Sequence, residues 1–516
     1  MLSGLTYWQG LERFGTPAHG AGTSQEARHH IMTENAQLAL VTGATGYIGG
    51  QVAQELLRRG WRVRLLSRSA EKVRGLEWGN AVVGPSESAG PGQAEVVEGD
   101  ASSAEDVAEA LEGVDVAWYL LHSMGDSSDF VREEVEMAET FGHAAREARV
   151  GRIVYLGGLH PQDEAVEDLS DHLRSRVEVG RALMDSGVPT AALQTGVVIG
   201  DGSSSFTMIR HLSERLPGAV APQWVRNRIQ PIAVRDVVHY LVGAADLPQD
   251  VNRTFDVGGP EAIEYAEMLD QYARAVGKGR RFMLTAPVTT ASLAARWIGL
   301  VTPVSSKLAR PLIGSLQHDT VMHERDLDDY IGAPEGGHTS FAEAARSAVA
   351  HVDTHRWWRV VLGTSAAVAT TAVVGSVASA PDTRWYKSLR KPAFQPPAWL
   401  FPVAWTALYA DIAAVGSLSI ADLGEQGRTR EKRAYIAALG VNLVLNAGWS
   451  VLFFDRKRLT AASVESVLLA ASSADLVRRT AKVSPEKGVV LSPYAAWTGF
   501  ASVLSTTIRA INPRRR

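Results

Sequence analysis

Two kinds of hydrophobic pattern divide the chain. From Gln37 to about residue 350, short apolar runs rich in β-branched residues alternate with amphipathic segments, which predicts strands alternating with helices. Beyond residue 350 the pattern changes to long Ala/Val/Leu-rich runs, each near the ~20 residues that a helix needs to cross hydrocarbon. These runs cover 357–379, 397–420, 434–454, 459–477 and 488–508. The sequence therefore predicts a soluble α/β part followed by a five-helix transmembrane bundle.

The first strand of the soluble part leads into a Gly-rich turn and then a helical pattern, in the sequence QLALVTGATGYIGGQVAQELLRRG. This strand, turn and helix form the context in which a GxxGxxG motif predicts a dinucleotide site. Gly43 permits the tight turn, Gly46 lets a pyrophosphate approach the backbone, and Gly49 allows the helix to pack closely on the sheet. The cofactor-binding residues predicted in this loop are Gly43, Thr45, Gly46, Tyr47, Ile48 and Gly49.

Further strand patterns follow at regular intervals. They read WRVRLLSRS, VVEGD (96–100), VAWYLLHS (116–123), RIVYLGG (152–158) and TAALQTGVVIG (190–200), and helical segments separate them. Strands that alternate with helices form parallel sheets. The predicted fold is a Rossmann-like doubly wound parallel sheet.

The motifs TGATGYIG, PIAVRDV (231–237) and TFDVGGPE (254–261) resemble the atypical short-chain dehydrogenase/reductases of the NAD(P)H-binding, epimerase-like group, over about 37–350. The resemblance implies a bound nicotinamide dinucleotide. The apolar segment 293–316 also resembles part of this group. Charged residues interrupt this segment, so we do not interpret it as a transmembrane span.

Cofactor choice depends on the end of the second strand. An acidic residue there would bind the ribose 2′-hydroxyl, but this chain has Arg68 followed by Ser69, which favours NADP(H) over NAD(H). The alternative is that Arg68 is a solvated surface arginine. By resemblance Asp100 would lie near the adenine, whereas its alternative role is to cap the next helix.

Catalytic residues are less evident. The resembling enzymes use a Tyr-x-x-x-Lys pair, but at this place the chain has His172 and Arg176, and Gly-Gly-Leu at 157–159 where a serine is usual. We weigh His172 and Arg176 as candidate catalytic residues against the interpretation of His172 as an ordinary exposed helix residue. The sequence leaves open whether the domain is an enzyme.

Three motifs lie in the apolar C-terminal part. WYxxLxKPxFxPPxWxFPxxWxxLY begins at Trp385, NLxLNxxW at Asn442 and PYxxWxxFA at Pro493. Together they resemble the TspO/MBR family of tryptophan-rich sensory or translocator proteins, over about 357–516. The resemblance implies a pocket for porphyrin, haem or a sterol-like lipid. The predicted ligand-binding residues are Trp385, Trp399, Trp405, Asn442, Asn446, Trp449 and Trp497. For the two asparagines, helix-to-helix hydrogen bonding is an equal alternative.

Composition excludes some kinds of site and partner. The absence of cysteine excludes disulfides and Cys-ligated zinc, and a net charge of −4 gives no reason to expect nucleic acid; we predict no metal. The predicted organisation is a disordered extension (1–35), an NAD(P)-binding domain (36–350) and a membrane domain (351–516). We expect the N-terminal domain in the cytoplasm, because the N-terminus carries no secretory signal pattern. The sequence does not decide between a monomer and a homodimer.

Two functions fit these observations. The first is a membrane-anchored NADP(H)-binding protein that acts as a redox-linked sensor or transport regulator through a tetrapyrrole- or lipid-binding bundle. The alternative is an NADPH-dependent oxidoreductase or epimerase-like enzyme whose apolar substrate arrives through the membrane domain.

Overall fold

The computed structural model describes residues 36–85, 87–122, 129–286 and 291–513, so the predicted extension 1–35 lies outside the described residues. Seven parallel strands form one sheet in the order β3-β2-β1-β4-β5-β6-β11. They are β1 (Leu38–Thr42), β2 (Arg62–Ser67), β3 (Ala94–Glu98), β4 (Val116–Tyr119), β5 (Arg152–Gly158), β6 (Thr190–Thr195) and β11 (Arg253–Val257). The predicted doubly wound sheet is confirmed.

Short strands pair away from this sheet. They are β7 (Val198–Ile199), β8 (Gly218–Pro222), β9 (Arg228–Ile229), β10 (Ile232–Ala233), β12 (Ile263–Glu264) and β13 (Phe282–Ala286). The helices are α1 (Tyr47–Arg58), α2 (Ala70–Arg74), α3 (Ala104–Leu111), α4 (Phe130–Glu147), α5 (Asp171–Met184), α6 (Ser204–Arg215), α7 (Val234–Gly243), α8 (Tyr265–Ala275), α9 (Ala291–Val301), α10 (Ser306–Ser315), α11 (Leu327–Ile331) and α12 (Phe341–Ala348).

The central strand β1 is buried along its whole length, because helices cover both faces of the parallel sheet. Helix α1 packs one side through Val52 and Leu56, while Phe141 of α4 belongs to the core on the other side. This layering places the carboxyl ends of all the strands at one edge, where ligands bind in doubly wound folds.

The C-terminal part contains α13 (Arg356–Ala378), α14 (Arg384–Lys387), α15 (Leu400–Glu425), α16 (Thr429–Ser450), a π-helical turn (Val451–Asp455), α17 (Leu459–Val483) and α18 (Pro485–Ile511). Four helices of the described residues are long and apolar enough to cross a membrane: α13, α15, α16 with its π turn, and α17. Helix α18 matches the fifth predicted span in position and has 27 residues. Its serine, tyrosine and tryptophan residues lower its hydropathy, and Tyr494 and Thr498 are buried against neighbouring helices.

The segment 293–316 forms two separate helices, α9 and α10, and the apolar stretch of α9 covers only 10 residues, which is too short to span a membrane.

Asn512 lies at the far end of the bundle. Its Oδ1 accepts from the Arg390 amide at 3.0 Å, and its Nδ2 donates to the Arg390 carbonyl at 3.0 Å, which fastens the loop after α14 to the end of α18.

Candidate functional site

The Gly-rich turn lies between β1 and α1 at the carboxyl edge of the sheet. Gly43 has φ +69°, and a Cβ atom there would lie 2.6 Å from the Leu120 carbonyl oxygen, so only glycine fits. A Cβ at Gly49 would lie 2.3 Å from the Gly43 carbonyl oxygen. The close approach expected at Gly49 therefore occurs between the helix and its own turn, and not between the helix and the sheet.

The first turn of α1 is available for an anion. Gly46 is its N-cap, no side chain caps the helix within the described part of the chain, and the first turn holds no acidic residue. Thr45 and Gly46 are exposed, and Ile48 is half-buried. Free amides at a helix N-terminus bind phosphate, so these residues fit the pyrophosphate of a dinucleotide. When bound, a nicotinamide dinucleotide supplies a hydride donor or acceptor.

Tyr47 lies against the segment between β7 and α6. Its ring packs on the turn that precedes α6: a Cβ at Gly200 would lie 2.1 Å from the Tyr47 hydroxyl, and one at Gly202 would lie 3.1 Å from its ring. Burial raises the pKa of the Tyr47 phenol, helped by the charge of Asp201. Tyr47 therefore joins the glycine loop to α6.

Arg68 and Asp100 lie at the ends of neighbouring strands. Arg68 is exposed and makes no ion pair within the described residues. Hydrogen bonds from the amide and hydroxyl of Ser102 hold the pKa of Asp100 below its usual range, and the Arg68 charge adds to this. The alternative role of Asp100 as a helix cap is wrong, because Ser103 caps α3. Ser69 caps α2 by accepting from the Lys72 amide at 3.3 Å.

His172 is not an exposed helix residue, so that interpretation is wrong. It is half-buried, its Nδ1 is buried without a hydrogen-bond partner among the described residues, and its ring lies 4.7 Å from the ring of His122. Burial lowers the pKa of both imidazoles. The Arg176 guanidinium donates to the Leu156 carbonyl at 2.9 Å, which orients it toward the backbone.

His122 is a functional candidate that sequence reasoning missed. It follows β4 at the carboxyl edge of the sheet, and its Nδ1 lies 3.3 Å from Glu134 Oε1. The hydroxyl of Ser175 donates to the other oxygen of Glu134. The signal that could have identified His122 is its position just after a central strand, where ligands bind in such sheets.

In the bundle, the two asparagines form a buried hydrogen-bond network across four helices. Tyr494 donates to Asn442 Oδ1 at 2.7 Å, and Asn442 Nδ2 donates to Ser473 at 3.1 Å. Tyr409 donates to Asn446 Oδ1 at 2.7 Å, and Asn446 Nδ2 donates to Tyr494 at 3.3 Å. These bonds use both amides to connect α15, α16, α17 and α18.

The predicted tryptophans fall into separate groups. Trp385 and Trp449 pack on Phe453, with ring centroids 5.8 and 5.0 Å away. Trp405 and Trp497 pack against a different part of the bundle core, which contains Tyr494 and Leu408.

Trp399 points outward, with 66% of its surface exposed. Trp497 lies 6.0 Å from Phe401, and its indole nitrogen is buried without a partner among the described residues. The structure thus brings together two pairs of the predicted tryptophans and leaves Trp399 apart.

Comparisons with known proteins agree with this division. Residues 363–511 match the TspO/MBR family and residues 43–194 match the NAD(P)H-binding family. The tryptophan-rich protein TspO of Chlorobaculum tepidum is 35% identical over 133 residues, which are 26% of this chain and 82% of the relative. The translocator protein of Ovis aries is 32% identical over 26% of this chain and 78% of the relative.

A triphenylmethane reductase of Citrobacter sp. covers 61% of this chain and 99% of its own, with 18% identity and a TM-score of 0.46. The chain is an integral membrane protein that joins an N-terminal NAD(P)H-binding domain to a C-terminal helical bundle, and through that bundle it belongs to the TspO/MBR family.

Proposed function

We propose that this protein is a redox-linked sensor or transport regulator, in which dinucleotide binding by the soluble domain and ligand binding by the bundle affect each other. The observation that supports the proposal is that α6 and the turn before it link the Gly-rich loop with the membrane bundle. Tyr47 of the loop packs on the Gly200–Gly202 turn that leads into α6.

The other end of α6 enters a buried ionic cluster with the bundle. Arg215 donates to Asp422 Oδ1 at 2.7 Å, and Lys487 pairs with the other oxygen of Asp422. One turn away, Arg210 donates to Glu425 at 2.9 Å. The Arg215, Asp422 and Lys487 side chains are at most 2% exposed.

Buried ion pairs tolerate little displacement, because a separated charge inside a protein is costly. A shift of α6 that accompanies cofactor binding must therefore move the ends of α15 and α18 or break this cluster. This contiguous contact supports coupling between the two halves.

The proposed cofactor is NADP(H), because Arg68 is exposed, carries no ion pair within the described residues and lies at the end of β2, where a 2′-phosphate would sit. The proposed bundle ligand is a porphyrin, a haem or a lipid. We place the soluble domain in the cytoplasm, where NADP(H) is available.

The test is reciprocal binding with the full chain in detergent. Protoporphyrin IX affinity is measured from tryptophan fluorescence with and without saturating NADPH, and NADPH affinity with and without protoporphyrin IX. Coupling predicts that both affinities change by the same factor. Affinities that do not depend on the other ligand would contradict the proposal.

An NADPH-dependent oxidoreductase is the second candidate function, and the apolar substrate would reach the soluble domain from the membrane. The observation that favours it is the buried pairing of His122 with Glu134 beside the glycine loop. NADPH consumption with tetrapyrroles or quinones distinguishes this function from a purely regulatory one.

A further inference from the structure

A buried group of polar side chains lies beside the proposed dinucleotide site. The Leu120 carbonyl lies against Gly43, and His122 follows two residues later at the same edge of the sheet. The Thr42 hydroxyl strengthens this edge, since it donates to the Trp118 carbonyl at 3.1 Å and accepts from the Leu120 amide at 2.9 Å. The strand that precedes His122 is therefore held firmly against the strand that leads into the glycine loop.

Glu134 and Ser175 orient the imidazole. Glu134 is 5% exposed, and its Oε1 lies 3.3 Å from His122 Nδ1. Ser175 is fully buried and donates to Glu134 Oε2, while Oε1 faces the histidine. A carboxylate that faces one ring nitrogen fixes the orientation of the ring and favours the imidazolium form, whereas burial and the Arg176 charge lower the pKa of His122 and make that form a stronger acid.

The other ring nitrogen of His122 has no charged partner. Both ring nitrogens are buried without a hydrogen-bond partner among the residues that the structure describes; Nδ1 faces Glu134 at ion-pair distance, and Nε2 has no such contact. Phe130 and His172 pack edge-on against the ring, with centroids 6.5 and 4.7 Å away, so the surroundings of His122 are aromatic. A buried imidazole nitrogen without a partner, next to aromatic surfaces, suits a planar molecule that carries a carbonyl oxygen.

We infer that His122, oriented by Glu134, is the proton-exchange residue of the soluble domain and that its ligand is a flat apolar carbonyl compound of the quinone class. This inference rests on the second candidate function, the oxidoreductase. In place of the Tyr-x-x-x-Lys pair, which this chain lacks, the soluble domain would use a histidine–carboxylate pair, in which His122 follows β4 and Glu134 lies in α4.

The step balances as a two-electron reduction. When bound, reduced nicotinamide would supply a hydride to the quinone and be left as oxidised nicotinamide, while the His122 imidazolium would give its proton to a quinone oxygen. The product is the hydroquinone. The neutral imidazole then takes a proton from water, and Glu134 stabilises the charge that returns to the ring.

The experiment uses the full chain in detergent with NADPH and menadione, and follows the loss of NADPH absorbance. The variants are His122→Gln and Glu134→Gln. The matched control is His143→Gln, an exposed histidine on the same helix as Glu134. NADPH affinity is measured separately for each variant from cofactor fluorescence.

We expect His122→Gln to lower kcat by roughly a hundredfold or more, the range of general acid catalysis, with unchanged NADPH affinity and partial rescue by added imidazole. Glu134→Gln should lower kcat less, and His143→Gln should match the wild type. If His122→Gln keeps kcat within a few-fold of wild type, or loses NADPH affinity in parallel with activity, the inference is wrong.

A second measurement separates this inference from the oxidoreductase function. If the wild type consumes no NADPH with menadione, the oxidoreductase function fails for quinones. Calorimetric titration of menadione into the chain with saturating NADP⁺ then tests whether His122 still forms the binding site. Binding that His122→Gln lacks and His143→Gln keeps would still assign the site to His122. Equal binding by all three proteins would overturn it.

Discussion

Arg215 of the soluble domain and Asp422 of the bundle form an ion pair of 2.7 Å, and the two side chains are 2% and 1% exposed. The same arginine donates to the Val301 carbonyl at 2.5 Å and lies over the ring of Trp357 at 5.1 Å. Arg215 therefore contacts α9, α13 and α15 at once, and the interface between the two domains forms around it.

Asp422→Asn should destabilise the chain, because it leaves Arg215 and Lys487 buried without their common carboxylate. Removal of one partner from a buried pair typically costs about 3–5 kcal/mol. The control is Asp475→Asn, whose pairs with Arg478 and Arg479 are partly exposed and should contribute less than about 1 kcal/mol. Thermal unfolding in detergent measures both changes; equal effects of the two substitutions would contradict the buried cluster.

His211 links stability to pH. It is 2% exposed, and burial, together with the charges of Arg215, Arg210 and Lys487, holds its pKa well below its usual value. The folded protein keeps this imidazole neutral, whereas the unfolded chain protonates it below about pH 6.5, so stability falls as pH falls through that value.

His211→Asn should flatten this dependence by up to about 1.4 kcal/mol per pH unit. Unfolding temperatures between pH 5 and 8, the ordinary range of histidine titration, give the comparison. An unchanged slope would show that other groups carry the acid sensitivity.

Arg68→Ala should remove most of the preference for NADPH over NADH. Charge-assisted hydrogen bonds to a 2′-phosphate contribute about 1.5–3 kcal/mol, which is roughly a tenfold to hundredfold change in affinity. Arg74→Ala, an exposed arginine on the adjoining helix α2, serves as the control. Titrations with both cofactors test this, and equal wild-type affinities for NADPH and NADH would refute the NADP(H) assignment.

Gly46→Val should impair cofactor binding alone, whereas Gly43→Ala should also impair stability. A Cβ at Gly46 approaches only the Gly43 carbonyl oxygen, at 3.1 Å, so the valine variant should fold while its side chain blocks the pyrophosphate. Gly43→Ala forces a positive φ and a 2.6 Å contact with Leu120, so it should lower stability as well. Cofactor titration and thermal unfolding distinguish the two; cofactor binding by the valine variant would mean that the loop is only a turn.

Trp497→Ala should weaken protoporphyrin IX binding, because the Trp497 ring contacts the rings of Phe401 and Phe500 and its own indole nitrogen is buried. Each aromatic contact is worth about 0.5–1.5 kcal/mol beyond buried area. Trp399→Ala tests the outward-facing tryptophan, and Trp358→Ala, on the exposed side of α13, is the control. If all three substitutions have the same effect on fluorescence quenching, the tryptophans are packing residues and not ligand contacts.

The sequence by itself determined the order of strands and helices, the glycine loop and the positions of the apolar helices. These features are encoded locally: Gly43 is required by the geometry of one turn, and the span of α16 is predicted by a mostly apolar run that begins near residue 434. The sequence also predicted α18 as a span, whereas four other helices of the described residues are long and apolar enough to cross a membrane, and Tyr494 and Thr498 of α18 are buried against neighbouring helices.

Only the tertiary structure decided which side chains meet. His122, Glu134 and Ser175 come from a strand end and two different helices. Arg215 and Asp422 form an ion pair although they lie 207 residues apart in the chain. A single histidine or arginine carries no periodic signal, so its partner depends on how distant elements pack. For the same reason the sequence indicated Asn442 and Asn446 as a pair of polar residues in an apolar helix, but not their partners. Their role in holding four helices together depends on hydrogen bonds with Tyr409, Ser473 and Tyr494, which lie on other helices.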